Sequence, residues 1–81
     1  MPTVFRQNGF RVFFYSNEGS PREPVHVHVM GGDGIAKLWL RPFVSVADSR
    51  RFDPRTLREI CAIVVARREE TLRAWHDHFG L

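Results

Sequence analysis

Cysteine is almost absent from this sequence, since Cys61 is the only one in 81 residues. An intrachain disulfide is therefore impossible, which excludes the small secreted proteins that depend on several disulfides. Long apolar runs are also missing, because no stretch approaches the roughly 18 residues of a membrane-spanning helix. The N-terminal residues lack the basic and then apolar order of a signal peptide. We therefore expect a cytoplasmic protein that does not enter a membrane.

Lysine is equally scarce, because 11 of the 12 basic residues are arginines and only Lys37 is a lysine. A planar guanidinium suits phosphate and carboxylate better than an ammonium does. The formal net charge of +3 permits nucleic-acid binding without arguing strongly for it. A composition of 43% hydrophobic and 26% charged residues is that of an ordinary globular protein. The length allows one domain, which we place over residues 1–81.

The N-terminal residues predict a β-hairpin. Thr3–Arg6 and Phe10–Tyr15 are rich in valine and phenylalanine, and Asn8-Gly9 between them tolerates the positive φ angles of a tight turn. The register predicts three cross-strand pairs: Arg6 with Arg11, Phe5 with Val12, and Val4 with Phe13.

A second hairpin follows the surface loop that turn formers and charges predict over Ser16–Pro24. Val25–Met30 and Ile35–Arg41 both alternate between apolar and other side chains, with a glycine-rich turn between them. If the turn is Gly32-Asp33, two further cross-strand pairs are expected: His26 with Trp39, and His28 with Lys37.

The C-terminal part predicts one long helix. Asp53-Pro54 is typical of an N-cap followed by proline at the first helical position, and Gly80 is a natural stop. Seven apolar residues recur between them at helical spacing: Leu57, Ile60, Cys61, Val64, Leu72, Trp75 and Phe79. A helix of about 26 residues would be roughly 39 Å long and would overhang a small sheet. The overhang predicts a homodimer, or another partner, at the helix end.

The predicted fold is therefore α+β, a four-stranded antiparallel sheet of two hairpins packed on one long C-terminal helix. Alternation along the strands assigns ten apolar side chains to the face that the helix covers: Phe5, Phe10, Val12, Phe14, Val25, Val27, Val29, Ala36, Leu38 and Leu40. The other face, which we call the second face, receives the remaining side chains: Arg6, Arg11, Phe13, Tyr15, His26, His28, Lys37, Trp39 and Arg41.

The second face is the predicted functional surface. Exposed aromatic rings among basic groups are unfavourable without a ligand or partner, and the opposed Arg6 and Arg11 favour an anionic one. The alternative is that the Pro42–Phe52 segment, which has no regular pattern, folds over this face and buries Trp39.

Three kinds of chemistry fit these residues. His26 and His28 at i and i+2 point to the same face and could bind zinc or another transition metal, for which a third ligand must come from elsewhere. The candidates for that ligand are Glu18, Glu23, Asp33, His76 and His78.

The second possibility is metal-independent ribonuclease action, in which one histidine is the general base, the other is the acid, and Lys37 stabilises charge on the phosphate. The third is binding alone, with stacking on aromatic rings and phosphate contacts from basic groups. The same surface would serve as a protein interface.

Several short motifs together resemble a known family: Met1-Pro2-Thr3-Val4, Gly9-Phe10-Arg11, Phe13 to Glu18, His26-Val27-His28-Val29, Ala36 to Leu40, and Trp75-His76. The chain resembles, from end to end, the small prokaryotic proteins with domain of unknown function 4160. The resemblance implies a bacterial protein in a toxin–antitoxin-like gene pair. It extends to His26, His28, Lys37, Trp39, Trp75 and His76, and it departs at Val25 and His78.

We therefore expect a protein that engages RNA, or the small protein encoded by a neighbouring gene, through the second face. The predicted catalytic residues are His26, His28 and Lys37, and the predicted binding surface comprises Arg11, Phe13, Tyr15, Trp39 and Arg41. Trp75 and His76 are further candidate site residues. This reading requires no cofactor. The alternative is a transition-metal-binding protein that uses His26 and His28.

Overall fold

The computed structural model describes residues 3–15 and 23–80, which form an α+β fold of five strands followed by two helices. The elements are β1 Thr3–Gln7, β2 Phe10–Phe13, β3 His26–Gly31, β4 Gly34–Trp39, β5 Ser45–Arg50, α1 Pro54–Ala66 and α2 Arg68–Phe79. The strands form one antiparallel sheet in the order β1-β2-β3-β4-β5. The predicted fold class is confirmed, whereas the predicted four strands and single helix are wrong.

The first hairpin turns at the predicted Asn8-Gly9, where φ is 53° and 83°. Positive φ at both central residues is the geometry that matches the twist of paired strands. Two of the three predicted cross-strand pairs are present. The third is wrong, because an irregularity near the start of β1 places Thr3 instead of Val4 opposite Phe13.

The second hairpin turns at Gly32-Asp33, and both predicted pairs are present. His26 lies opposite Trp39, and His28 lies opposite Lys37. The predicted loop that precedes this hairpin lies outside the described residues, except for Glu23 and Pro24.

The fifth strand lies in the Pro42–Phe52 segment, for which the sequence predicted no regular structure. β5 pairs with β4 along the edge of the sheet, so this segment extends the sheet. The register shifts within β5, where Ala47 is an extra residue between the paired Val46 and Asp48. Such a bulge interrupts the alternation that marks a strand in a sequence, which explains why β5 was missed.

The predicted helix is divided at Arg67, whose φ of −116° and ψ of 25° are not helical. Its N–H donates to the carbonyl oxygens of both Ile63 and Val64 at 3.2 Å. The guanidinium lies 3.7 Å from the centre of the Phe5 ring and donates to Gln7 Oε1 at 3.2 Å. These contacts join the break to β1, and the same guanidinium pairs with Glu70 at 2.8 Å. No glycine or proline marks the break, and arginine favours a helix by itself.

Both predicted ends of the helical region are confirmed. Asp53 Oδ1 accepts a 2.7 Å hydrogen bond from the Thr56 N–H, with Pro54 at the first helical position. Gly80 ends α2 with a φ of 70°, and its N–H donates to the His76 carbonyl at 2.9 Å. Among the described residues, neither helix is long and apolar enough to cross a membrane.

The end of α2 does not overhang, because it packs on the sheet of its own chain. Trp75 is 1% exposed, and its ring lies 5.6 Å from Phe14 and 4.4 Å from Phe79. The predicted overhang is therefore wrong, and the homodimer inferred from it loses that support. The helix-covered face otherwise agrees with the prediction: nine of its ten residues are buried and Phe10 packs against them at the margin.

Candidate functional site

The second face carries its side chains in rows that cross the strands. One row, which we call the central row, consists of Phe13 on β2, His28 on β3, Lys37 on β4 and Asp48 on β5. Directly opposed side chains in such a row have Cβ atoms about 5 Å apart. The central row therefore brings an imidazole, an ammonium and a carboxylate into one neighbourhood.

The predicted residues of the second face differ widely in exposure. Phe13 and His26 are completely buried, at 0% exposure. Five others are partly exposed: Arg11, Tyr15, His28, Lys37 and Trp39. Arg6 and Arg41 are exposed. The stacking role predicted for Phe13 is not available in this conformation, because its ring offers no free surface.

His26 lies against residues from both sides of the sheet. Its ring centre is 5.7 Å from that of Trp39 and 5.2 Å from that of Trp75 on α2. Its Nδ1 is 2.8 Å from the Pro24 carbonyl oxygen. A carbonyl only accepts, so Nδ1 carries the hydrogen and donates it. A buried ring held in this way can orient its neighbours, but it cannot touch a substrate on the surface.

His28 is the more accessible histidine, and aromatic rings fix its orientation. It stacks on Phe13 with ring centres 5.6 Å apart, and Tyr15 meets it edge-on at 4.8 Å. The His26 ring is 5.3 Å away and nearly perpendicular. His28 therefore combines a constrained ring with access to solvent, which is what a proton-transfer residue needs.

A depression of about 310 Å³ lies beside His28, and we call it the central depression. It is lined by Tyr15, His28, Ile35, Ala36, Lys37, Asp48 and Arg50. Asp48 and Arg50 were not predicted from the sequence. Both belong to β5, so no sequence signal could have placed them here once that strand was missed.

Lys37 is held at the side of this depression by two contacts. Its Nζ forms a 3.1 Å ion pair with Glu23 Oε1, and it lies 4.6 Å from the centre of the Trp39 ring. Both partners of the ion pair are partly exposed, so the pair stabilises the fold only weakly. These contacts hold the ammonium between Glu23 and Trp39, and part of the Lys37 side chain remains exposed.

Arg11, a predicted phosphate contact, packs on the second face and is partly exposed. Its guanidinium carbon lies 4.5 Å from the centre of the Phe13 ring, and its Nε donates to Thr3 Oγ1 at 2.7 Å. Arg11 therefore helps to cover Phe13.

The predicted metal ligands His26 and His28 lie beside each other, with their ring centres 5.3 Å apart. However, residues 3–15 and 23–80 contain no group of three or more histidine, cysteine, aspartate or glutamate residues that could hold one. Glu18, one of the predicted third ligands, lies outside the described residues.

The remaining candidates, Trp75, His76 and Arg41, lie away from the central depression. Trp75 belongs to the core, and its Nε1 has no hydrogen-bond partner among the described residues. His76 is partly buried on α2 and lines a separate depression together with Arg41. The sequence assigned Arg41 to the second face, but the structure places it beside His76.

Comparison with known proteins gives one family. Searches of the curated proteins and of the solved structures each found no significant match. The model of the family described as Domain of unknown function (DUF4160) matches residues 9–76. This range covers most of the chain and includes the central row, the central depression and His76. The chain therefore belongs to the DUF4160 family.

Proposed function

We propose that this protein binds RNA in the central depression, as one component of a toxin–antitoxin-like pair, and that His28 moves protons in metal-independent RNA cleavage. The observation that carries this proposal is the position of His28 in a depression that also holds Tyr15, Lys37 and Arg50. These groups supply a proton-transfer residue, a stacking ring and two cations around one space.

The dimensions and the side chains suit a nucleotide. A volume of about 310 Å³ is at the lower end of the range for small-molecule sites. The Tyr15 ring is partly exposed, and a base can stack on its face. Lys37 and Arg50 lie where they can contact the negatively charged phosphate, and arginine can do so through two parallel hydrogen bonds.

RNA cleavage without a metal needs two proton transfers. A base removes the proton of the 2′-hydroxyl, whose oxygen attacks the adjacent phosphorus, and an acid protonates the departing 5′-oxygen. The products are a 2′,3′-cyclic phosphate and a free 5′-hydroxyl. His28 serves as the base. His26 cannot serve as the acid because it is buried, so we assign that proton to the Tyr15 hydroxyl, whose ring is 4.8 Å from His28.

Two carboxylates moderate the attraction for RNA. Asp48 lines the depression, and Glu23 pairs with Lys37. The positive potential at the site is therefore moderate. We expect weak binding that depends strongly on salt, as is typical when a few cations contact phosphates.

The test uses a fluorescently labelled single-stranded RNA in the presence of EDTA. Fluorescence anisotropy measures binding at low and high salt, and gel electrophoresis measures cleavage. His28→Ala should retain binding and lose cleavage, while Arg50→Gln should weaken binding. Arg58→Gln is the matched control, because it removes the same charge from an exposed position on α1. Equal losses in Arg50→Gln and Arg58→Gln would contradict a site at the central depression.

Expression in a bacterial host tests the role in a toxin–antitoxin-like pair. The wild-type protein should arrest growth, and His28→Ala should not. Co-expression of the small protein from the neighbouring gene should restore growth. Failure to bind RNA, together with a stable complex with that protein, would overturn the proposal in favour of a protein interface.

A further inference from the structure

We propose that a second anion site lies between the end of β4 and α2, where Arg41, Arg73 and His76 bind a phosphate group. These side chains line a depression of about 260 Å³ together with Glu69 and Leu72. None of the five lines the central depression. The site is therefore independent of the proposed RNA function.

Four of the five lining residues come from one face of α2. Glu69, Leu72, Arg73 and His76 are spaced at i, i+3, i+4 and i+7, which aligns them along the helix. Leu72 is 5% exposed and closes the depression toward the core. Arg41 approaches from the turn that follows β4. The depression is thus built from two segments that are 28 or more residues apart in the chain.

Arg68 fixes these two segments relative to each other. Its Nε donates a 2.9 Å hydrogen bond to the carbonyl oxygen of Leu40, the residue before Arg41. Its Nη1 also lies 3.6 Å from Glu69 Oε1. The first contact ties the backbone beside Arg41 to the start of α2. The second places a cation beside the one carboxylate in the depression, which is largely exposed.

Within residues 3–15 and 23–80, the two arginines of the depression, Arg41 and Arg73, form no ion pair with an acidic side chain. Two arginines that line one depression repel each other, and an anion bound between them would offset this repulsion. Two arginines against one carboxylate give the lining of the depression a net positive charge.

A phosphate monoester matches this arrangement better than a carboxylate does. It carries up to two negative charges and three terminal oxygens, which can accept from both guanidinium forks and from an imidazole N–H. Such a group occurs in phosphorylated small molecules and at the 5′-end of RNA. The shared chemistry is the phosphate monoester, and the experiment distinguishes the two sources.

The test is an NMR titration of the ¹⁵N-labelled protein with inorganic phosphate, compared with sodium chloride at equal ionic strength. The amide signals of Arg41, Arg73 and His76 should shift saturably with phosphate, with a dissociation constant on the order of 1 mM. Arg41→Gln and Arg73→Gln should each weaken binding by about tenfold, since each removes a charge-assisted hydrogen bond. Glu69→Gln should strengthen binding, and the control Arg58→Gln should leave it unchanged.

A second titration identifies the source of the phosphate. A 5′-phosphorylated RNA dinucleotide that shifts the amide signals of Arg41, Arg73 and His76 at lower concentration than inorganic phosphate does, while its 5′-hydroxyl form leaves these three signals unchanged, assigns the site to RNA ends. Equal affinity for the dinucleotide and for inorganic phosphate assigns it to small phosphorylated compounds. His28→Ala should leave the response of the Arg41, Arg73 and His76 signals unchanged in both titrations, so failure of the proposed RNA function would not affect this result. Shifts that chloride reproduces, or that persist in the Arg41→Gln and Arg73→Gln double variant, would overturn the proposal.

Discussion

The two faces of the sheet are made by alternate residues of the same strands, yet they have different surroundings. Val27 and Leu38 point toward the helices and are completely buried. Their neighbours His28 and Lys37 point the other way and remain partly exposed. Alternation along a strand therefore determines which side of the sheet a side chain faces. The neighbouring groups determine how exposed that side chain is.

Two residues of the second face illustrate this lesson. Phe13 and His26 are as fully buried as the core, although no helix covers them on that side. Phe13 is covered partly by Arg11 and His28, and His26 reaches Trp75 on the opposite side. The second face therefore has a structural part, which includes the buried Phe13 and His26, and an accessible part, which includes the partly exposed His28, Lys37 and Trp39. Substitutions in the two parts should have different effects.

The largest expected effect is the loss of stability in Trp75→Ala. Trp75 is 1% exposed and contacts several aromatic rings, so its truncation should lower the free energy of unfolding by about 3–5 kcal/mol. Trp39→Ala on the second face should cost less, because Trp39 is already partly exposed. Chemical denaturation of both variants measures the difference. Equal losses would contradict the assignment of Trp39 to the accessible part.

The paired histidines should separate stability from activity. His26→Ala removes a buried hydrogen-bonded ring and should lower the free energy of unfolding by about 1–3 kcal/mol. His28→Ala should cost less than about 1 kcal/mol, because its ring is partly exposed, but it should abolish RNA cleavage. Denaturation curves and a cleavage assay on both variants test this prediction. Full cleavage by folded His28→Ala would refute the catalytic role.

A smaller effect on stability is expected from Lys37→Gln. The ion pair with Glu23 is partly exposed, so its loss should cost no more than about 1 kcal/mol. RNA binding should weaken, and the slope of log affinity against log salt should decrease in magnitude by about 1 if Lys37 contacts a phosphate. An unchanged slope would indicate that Lys37 serves only to pair with Glu23.

The smallest expected effect is a change in how stability depends on pH, and it concerns Asp53, the N-cap of α1 on the helix-covered side of the sheet. Hydrogen bonds from Thr56 hold the pKa of the Asp53 carboxyl below its usual 3.8. Because this pKa is lower in the folded state, the ionised Asp53 stabilises the fold at pH values above 3.8. That stabilisation is lost as the pH falls through the lowered pKa of the folded state. Asp53→Ala should therefore lower the melting temperature at neutral pH, with the difference shrinking in strong acid.

Asp53→Asn is the matched control for the Asp53 prediction, because its amide oxygen can cap the helix without titrating there. It should retain most of the neutral-pH stability and lose the acid dependence. RNA binding should be unchanged in both Asp53 variants. A large change in binding would show that the two sides of the sheet are coupled.

Local signals predicted most of the fold. Asn8-Gly9 and Gly32-Asp33 determined the two turns, and with them the opposition of His28 and Lys37. The N-cap at Asp53 was also correct. These features depend on a few adjacent residues, and their physical causes are visible in the sequence.

Long-range contacts determined what the sequence did not reveal. At the break, Arg67 contacts Phe5 and Gln7 of β1, about 60 residues earlier in the chain. β5 carries a bulge and polar side chains, so its pairing with β4 had no periodic signal. The sequence therefore predicted only some of the residues that line the central depression. His28, Lys37 and Tyr15 were named from the alternation, whereas Asp48 and Arg50 required the fifth strand.

The most direct test of the central claim is to locate bound RNA on the protein by photo-crosslinking. A single-stranded RNA that contains 4-thiouridine is irradiated with the protein, and mass spectrometry identifies the crosslinked peptides. The account predicts crosslinks to Tyr15 and to residues around His28 and Lys37, which decrease in Arg50→Gln. Crosslinks confined to α1, or no crosslink at low salt, would contradict it.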